Sequence, residues 1–253
     1  MTTADVSLAV PQTAPPGSLA RRLSILRTHA AMFGYVNLLR SALAAVISPD
    51  YSRESWDRKF GTDTSRLSLI ESQMPREAMS EAVDYEPAHV QTLRHVFSSL
   101  PFNVRDFAML DIGCGKGRTL LVASRWYPFR SITGVELSPV TAQIAEANVI
   151  RYTAREKAMC KAVFVRCENG TSCQIPPGDV LVVMYNPFFG QTFERCIEHL
   201  HREAVAHPER QMWLAYINPW NCEEYLASTG YFQQVADYRV IPRTWAWSLW
   251  RHV

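Results

Sequence analysis

The 253-residue chain carries almost no excess of charge: 26 Lys and Arg stand against 24 Asp and Glu, a formal net charge of +2. So small a balance supplies no field that argues for a nucleic-acid partner. No run of about 18 uncharged apolar residues occurs, so no spanning helix is expected. The six cysteines, Cys114, Cys160, Cys167, Cys173, Cys196 and Cys222, include no C-x-x-C pair. A chain of this length folds without disulfides, and reduced thiols are expected. Cys160, Cys167 and Cys173 match no zinc spacing, so no metal site is expected. No basic-then-apolar leader with a cleavage site is visible, and the expected compartment is the cytoplasm. Acidic residues are missing between Asp5 and Asp50, while Arg21, Arg22, Arg27 and Arg40 lie there. That segment suits an anionic membrane surface or a transit peptide; the preferred reading is a helical cap or a dimer contact, which leaves a homodimer open.

Hydrophobic residues make up 47% of the chain, enough for a sizeable core. Residues 1–18, with Pro11, Pro15, Pro16 and Gly17, read as a disordered tail. Leu19, Leu23, Leu26 and Ala30, then Leu39, Leu43 and Val46, recur at helical spacing over 19–47. Residues 50–66 read as polar and turn-rich, and a helix is expected over 67–80. Pro87 biases Glu86 away from the helix, so a break falls at Tyr85-Glu86-Pro87. The helical extension thus covers 19–84 and the main domain 85–253.

From there strands and helices alternate. A helix at 88–100 precedes a strand at Phe107–Ile112. Helices are expected at Lys116–Trp126, at Ser138–Tyr152 with an apolar stripe of Val140, Ile144 and Ala147, at 190–206 and at 220–229. Ser138 is a candidate N-cap with Pro139 in the first helical position. Strands fall at Ser131–Glu136, Ala162–Arg166, Val180–Tyr185 and Met212–Ile217. This alternation predicts an α/β fold with a doubly wound, mostly parallel sheet and helices on both faces. The last two strands, Phe232–Ile241 and Thr244–Trp250, are joined only by Pro242-Arg243, too short for a parallel crossover, so they pair antiparallel.

The main chemical signal is Asp111-Ile112-Gly113-Cys114-Gly115-Lys116-Gly117, between the first strand and its helix. Glycines allow a sharp turn and close approach of backbone to ligand, at the strand end where open α/β sheets bind ligands. Arg118 stands where the dinucleotide fingerprint G-x-G-x-x-G needs its third glycine. Asp111 would repel a pyrophosphate but suits an amino group and a sulfonium. Glu136 ends the second strand 23 residues after Gly113, placed to accept both hydroxyls of a ribose.

These residues resemble motif I and the following Gly134-Val135-Glu136-Leu137-Ser138 element of class I S-adenosylmethionine-dependent methyltransferases. The resemblance covers roughly 85–253 and implies a seven-stranded Rossmann-like sheet with a terminal antiparallel hairpin. It further implies S-adenosylmethionine as cofactor. Asp111, Gly113, Cys114, Gly115 and Gly117 would surround its methionine end. Glu136 would hold the ribose, with Leu137 on the adenine and Glu168 or Asn169 near the adenine amine. Tyr185-Asn186-Pro187-Phe188 resembles the N-P-P-[YF] strand end of methyltransferases acting on planar nitrogens, without the second proline. Tyr85-Glu86-Pro87 resembles a Tyr-x-Pro element of seven-strand lysine methyltransferases. Asp57-Arg58-Lys59-Phe60-Gly61-Thr62-Asp63-Thr64, Tyr85-Glu86-Pro87 and the Tyr185–Phe188 strand end together are similar to uncharacterised bacterial methyltransferases.

No Asp or His lies in Tyr185–Gly190 to act as base, so Asn186 and Tyr185 are expected to orient the acceptor and catalysis to rest on proximity. Asn186 would also contact the cofactor, as would Tyr85. Residues 50–87 form an expected lid, with Trp56, Phe60, Asp63, Thr64 and Tyr85 as candidate contacts. Asn218-Pro219 ends the fifth strand in a similar way and reads as structural. The expected function is methyl transfer to nitrogen or oxygen of an unidentified small molecule. The alternatives are a protein lysine methyltransferase and a non-catalytic cofactor-binding subunit.

Overall fold

The computed structural model of the chain describes residues 53–219, 222–238 and 246–253. The tail at 1–18, the helical reading of 19–47, Trp245 and the Pro242-Arg243 link lie outside the described residues. All described residues belong to one contact unit, Asp50–Val253.

The elements are α1 (Arg53–Phe60), a 3-10 turn (Arg76–Ala78), α2 (Val90–Ser98), β1 (Ala108–Ile112), α3 (Arg118–Trp126), β2 (Ser131–Glu136) and α4 (Pro139–Arg155). They continue with β3 (Val163–Cys167), β4 (Val180–Tyr185), α5 (Gly190–Ala206), β5 (Met212–Ile217), α6 (Glu223–Thr229), β6 (Phe232–Tyr238) and β7 (Trp247–His252). The seven strands form one sheet in the order β3-β2-β1-β4-β5-β7-β6. The first five pair in parallel, while β7 runs antiparallel to both β5 and β6. This is the Rossmann-like arrangement with an antiparallel terminal pair that the sequence pattern predicts.

Period-two alternation sends successive strand residues to opposite faces. Met109, Leu181, Val183, Ala215 and Leu249 face a core shared with α1, α2, α3 and α4. Leu110, Ile112, Val182, Met184, Leu214 and Trp250 face the core under α5 and α6. Both faces of β1, β4 and β5 are covered, which explains why their residues are apolar apart from Asp111. Ser138 caps α4 by accepting from the Thr141 N–H, and Pro139 takes the first helical position.

Three expectations are corrected. Residues 53–60 are helical because Trp56 and Phe60, one turn apart, are buried and pack on Tyr152 at 6.1 and 5.3 Å between ring centroids. The 67–80 stretch is not an α-helix. Leu67 forms an antiparallel bridge with Tyr85, and the Leu69 N–H donates to the Asp84 side chain. The Ser68 N–H donates to Glu71, leaving only the 3-10 turn Arg76–Ala78. The buried face of α4 is Thr141, Ala142, Ala145, Asn148, Val149 and Tyr152, rather than Val140, Ile144 and Ala147. The contacts of Asn148 and Tyr152 with the N-terminal segment turn the helix that way.

Candidate functional site

The sheet reverses its winding between β1 and β4, which are neighbours, and a crevice opens outside their carboxyl ends. Between Ile112 and α3 the chain turns through Gly113, Gly115 and Gly117, at φ of +74°, +55° and +86°. Those left-handed values favour glycine. Space demands it too: a Cβ on Gly113 would fall 2.2 Å from Pro187 Cβ, and one on Gly115 would fall 2.0 Å from Tyr85 Cδ2. Gly117 differs. It is the N-cap of α3 and faces Ala145 of α4, so it shapes the loop from outside the cavity lining.

The turn is tied to the end of β2. Gly113 and Cys114 donate their N–H groups to the Val135 carbonyl at 2.8 and 3.0 Å. The Gly115 N–H reaches Glu136 Oε2 at 2.9 Å, and the Ser138 N–H reaches Oε1 at 2.9 Å. Burial pushes the Glu136 carboxyl up, opposed by these backbone donors. Asp111 is 1% exposed. Burial, with the Glu136 charge adding to it and a Thr119 hydrogen bond opposing, pushes its carboxyl up to about 8. Its Oδ2 is buried without a hydrogen-bond partner.

A cavity of about 830 Å³ opens here. Of the residues singled out from the sequence, Asp111, Gly113, Cys114, Gly115, Glu136, Leu137, Glu168, Tyr185, Asn186 and Tyr85 line it. Glu168 and Asn169 both line it; Glu168 Oε2 accepts from the Gln174 N–H, and Asn169 Oδ1 accepts from Thr171. Cys114 is a buried thiol, pushed far up by burial. Among the described residues no group of three or more His, Cys, Asp or Glu could hold a metal ion.

The outer wall is the segment before β1. At its beginning, Asp57 accepts hydrogen bonds from the Thr62 hydroxyl (2.7 Å), the Thr64 hydroxyl (2.7 Å) and the Thr64 N–H (3.0 Å). Arg118 donates through Nε to Thr64 Oγ1 at 2.6 Å, lies 3.6 Å from Asp57 and covers the Trp56 ring. Lys116 pairs with Asp63 at 3.0 Å, and Asn148 holds the Asp63 backbone through both its side-chain atoms. Tyr85 then closes on the glycine turn, its hydroxyl donating to the Thr64 carbonyl at 3.4 Å. The other end is fastened to the β4 exit. The Val83 N–H donates to the Pro187 carbonyl (3.2 Å), the Phe189 N–H to the Glu81 carbonyl (2.9 Å), and the Glu81 carboxylate accepts from Gln191 and Thr192. Trp56, Phe60, Asp63 and Thr64 therefore hold the wall together and do not line the cavity; of the expected lid contacts only Tyr85 does.

Sequence reasoning missed Leu67, Leu69, Met74, Ala82 and Val83, which line the cavity from that wall. It also read Asn218 as structural, although Asn218 lines the cavity beside Asn186. The repeated Asn-Pro at the ends of β4 and β5 was the available signal.

No family model matches the chain, and no curated protein matches it. Among solved structures it is similar to magnesium protoporphyrin IX methyltransferase of Synechocystis with bound S-adenosylmethionine. Identity there is 13% and the TM-score 0.46, over 64% of this chain and 77% of that one. It is also similar to mitomycin 7-O-methyltransferase (14%, TM-score 0.48, 65% of this chain and 54% of that one). A third is the Pyrococcus abyssi tRNA (uracil-54, C5)-methyltransferase in complex with S-adenosylhomocysteine (14%, TM-score 0.44, 67% and 40%). The likeness is one of fold.

Proposed function

We propose that this chain is an S-adenosylmethionine-dependent methyltransferase acting on a small molecule. The observation that carries the reading is Asp111: a buried carboxyl with an unpartnered oxygen, beside the glycine turn and within the field of Glu136. An isolated buried carboxylate is costly and seeks a cation or a proton. A ligand with an ammonium and a sulfonium supplies the positive charge, whereas a pyrophosphate would add negative charge to two carboxylates. Arg118, at the third-glycine position of a dinucleotide loop, is turned to Thr64 and Asp57.

The residues fit the cofactor as follows. Asp111 would take the amino group, and the Gly113–Gly115 backbone would lie against the methionine portion. Each Glu136 oxygen holds one backbone N–H and keeps a second lone pair for a ribose hydroxyl. Leu137 and Glu168 would border the adenine. When bound, the cofactor supplies an electrophilic methyl on a sulfonium. Tyr185 and Asn186, at the β4 exit, would hold the acceptor in line with it. With neither Asp nor His in Tyr185–Gly190, alignment and exclusion of water carry the rate.

The small-molecule reading rests on the outer wall, which is hydrogen-bonded to the body at both ends and forms one side of the cavity. A melting scan tests the cofactor assignment: S-adenosylmethionine raises the melting temperature and NAD does not. A larger shift with NAD would reverse the assignment.

A further inference from the structure

We propose that Asn218 is a second acceptor-binding residue, and that it and Asn186 form a paired carboxamide site for an acceptor with an uncharged amide-type edge. The proposal rests on the methyltransferase reading for what happens at that site, but not for the pairing itself. In the β4–β5 ladder Tyr185 lies opposite Ile217, so the next residues, Asn186 and Asn218, emerge side by side. Each precedes a proline, and each adopts a left-handed backbone, at φ of +44° and +54°. Both line the cavity.

Asparagine before proline often serves a turn, its side chain bonding to its own backbone a residue or two on. Neither side chain does so here. Asn186 Oδ1 accepts instead from the Tyr216 hydroxyl at 3.4 Å, across from β5. That contact turns the amide oxygen toward β5 and leaves its N–H₂ to donate. Asn218 Oδ1 is buried with no hydrogen-bond partner, an arrangement that costs free energy unless a ligand completes it.

A side-by-side donor and acceptor match a group that itself donates and accepts: a carboxamide, a lactam or an amino-heteroaromatic edge. Charge points the same way. Glu136 and Glu168 line the same cavity and penalise an anion, while the amides give a cation no carboxylate of their own at this end.

The isosteric series benzamide, benzoate and benzamidine tests the pair by ligand-observed NMR, titrated with and without saturating S-adenosylhomocysteine. Wild type should prefer benzamide. Asn218→Gly, which deletes the carboxamide and tolerates the left-handed backbone, should weaken benzamide about fivefold, the worth of one hydrogen bond, and leave S-adenosylhomocysteine affinity unchanged. Asn218→Asp should turn the preference to benzamidine. Equal binding of benzoate, unchanged benzamide affinity in Asn218→Gly, or no fragment bound at all overturns the proposal. Absence of S-adenosylhomocysteine binding overturns the cofactor reading instead, because the fragment preference is also read without it.

Discussion

Replacing Gly115 by alanine puts a methyl carbon 2.0 Å from Cδ2 and 2.2 Å from Cε2 of Tyr85, at a φ of +55°. The ring cannot simply swing aside. Its hydroxyl is tied to the Thr64 carbonyl, and its backbone N–H and carbonyl pair with Leu67. Two costs follow. An alanine in the left-handed region is unfavourable by about 1–2 kcal/mol, and overpacking against a fixed neighbour adds about 1–3 kcal/mol. The expected destabilisation is about 2–5 kcal/mol, read by urea unfolding as a lower midpoint at unchanged slope. The steric part belongs to the pair. In a Tyr85→Ala background the same substitution should therefore cost only the backbone share, leaving a coupling of about 1–3 kcal/mol. A single-variant cost under about 1 kcal/mol, or additive effects in the cycle, would refute the argument that Tyr85 is pressed onto the glycine turn.

The raised Asp111 carboxyl sets a pH dependence. Between the ordinary value of 3.8 and about 8 the folded chain keeps a proton that the unfolded chain releases, so stability falls as pH rises through that window. Asp111→Asn should match wild type near the acid end and exceed it at pH about 9; parallel melting curves at the two extremes would refute this. Asp57→Ala removes the carboxylate that lies 3.6 Å from the buried Arg118 guanidinium and accepts from the Thr62 and Thr64 hydroxyls. A cost of about 3–5 kcal/mol in denaturant unfolding is expected, and a cost near zero would mean that the Arg118–Asp57 contact holds nothing. Glu81→Ala frees the end of the wall that accepts from Gln191 and Thr192; limited proteolysis should then cut faster within residues 66–88, and an unchanged pattern would contradict that fastening.

The sheet was readable because its signals are local. Apolar runs mark β1 (with Asp111 near its end), β4 and β5, Ser138-Pro139 marks the start of α4, and the short link before the last strand marks the antiparallel pair. The glycine turn and Glu136 were readable for the same reason, each combining a residue type with a fixed offset. The wall was not, because tertiary contacts stabilise it. Helix α1 exists through Trp56 and Phe60 packing on Tyr152, residues about a hundred positions away in sequence. The 67–80 stretch carries helix-compatible residues, but Leu67 pairs with Tyr85 and Ala82 with Phe188. Nor could spacing separate Gly117, which caps α3, from Gly113 and Gly115, which meet the cavity. Asn218 was read as structural because a turn asparagine and an asparagine that lines a cavity look alike in sequence.

The central claim is that Asp111, the glycine turn and Glu136 form a site for S-adenosylmethionine. Calorimetric titration of the cofactor into wild type and Glu136→Gln tests it most directly. The account predicts one site of roughly micromolar affinity in wild type, weakened about tenfold or more when the Glu136 charge is removed. Equal affinity in the two proteins, or no heat of binding to wild type, would contradict it.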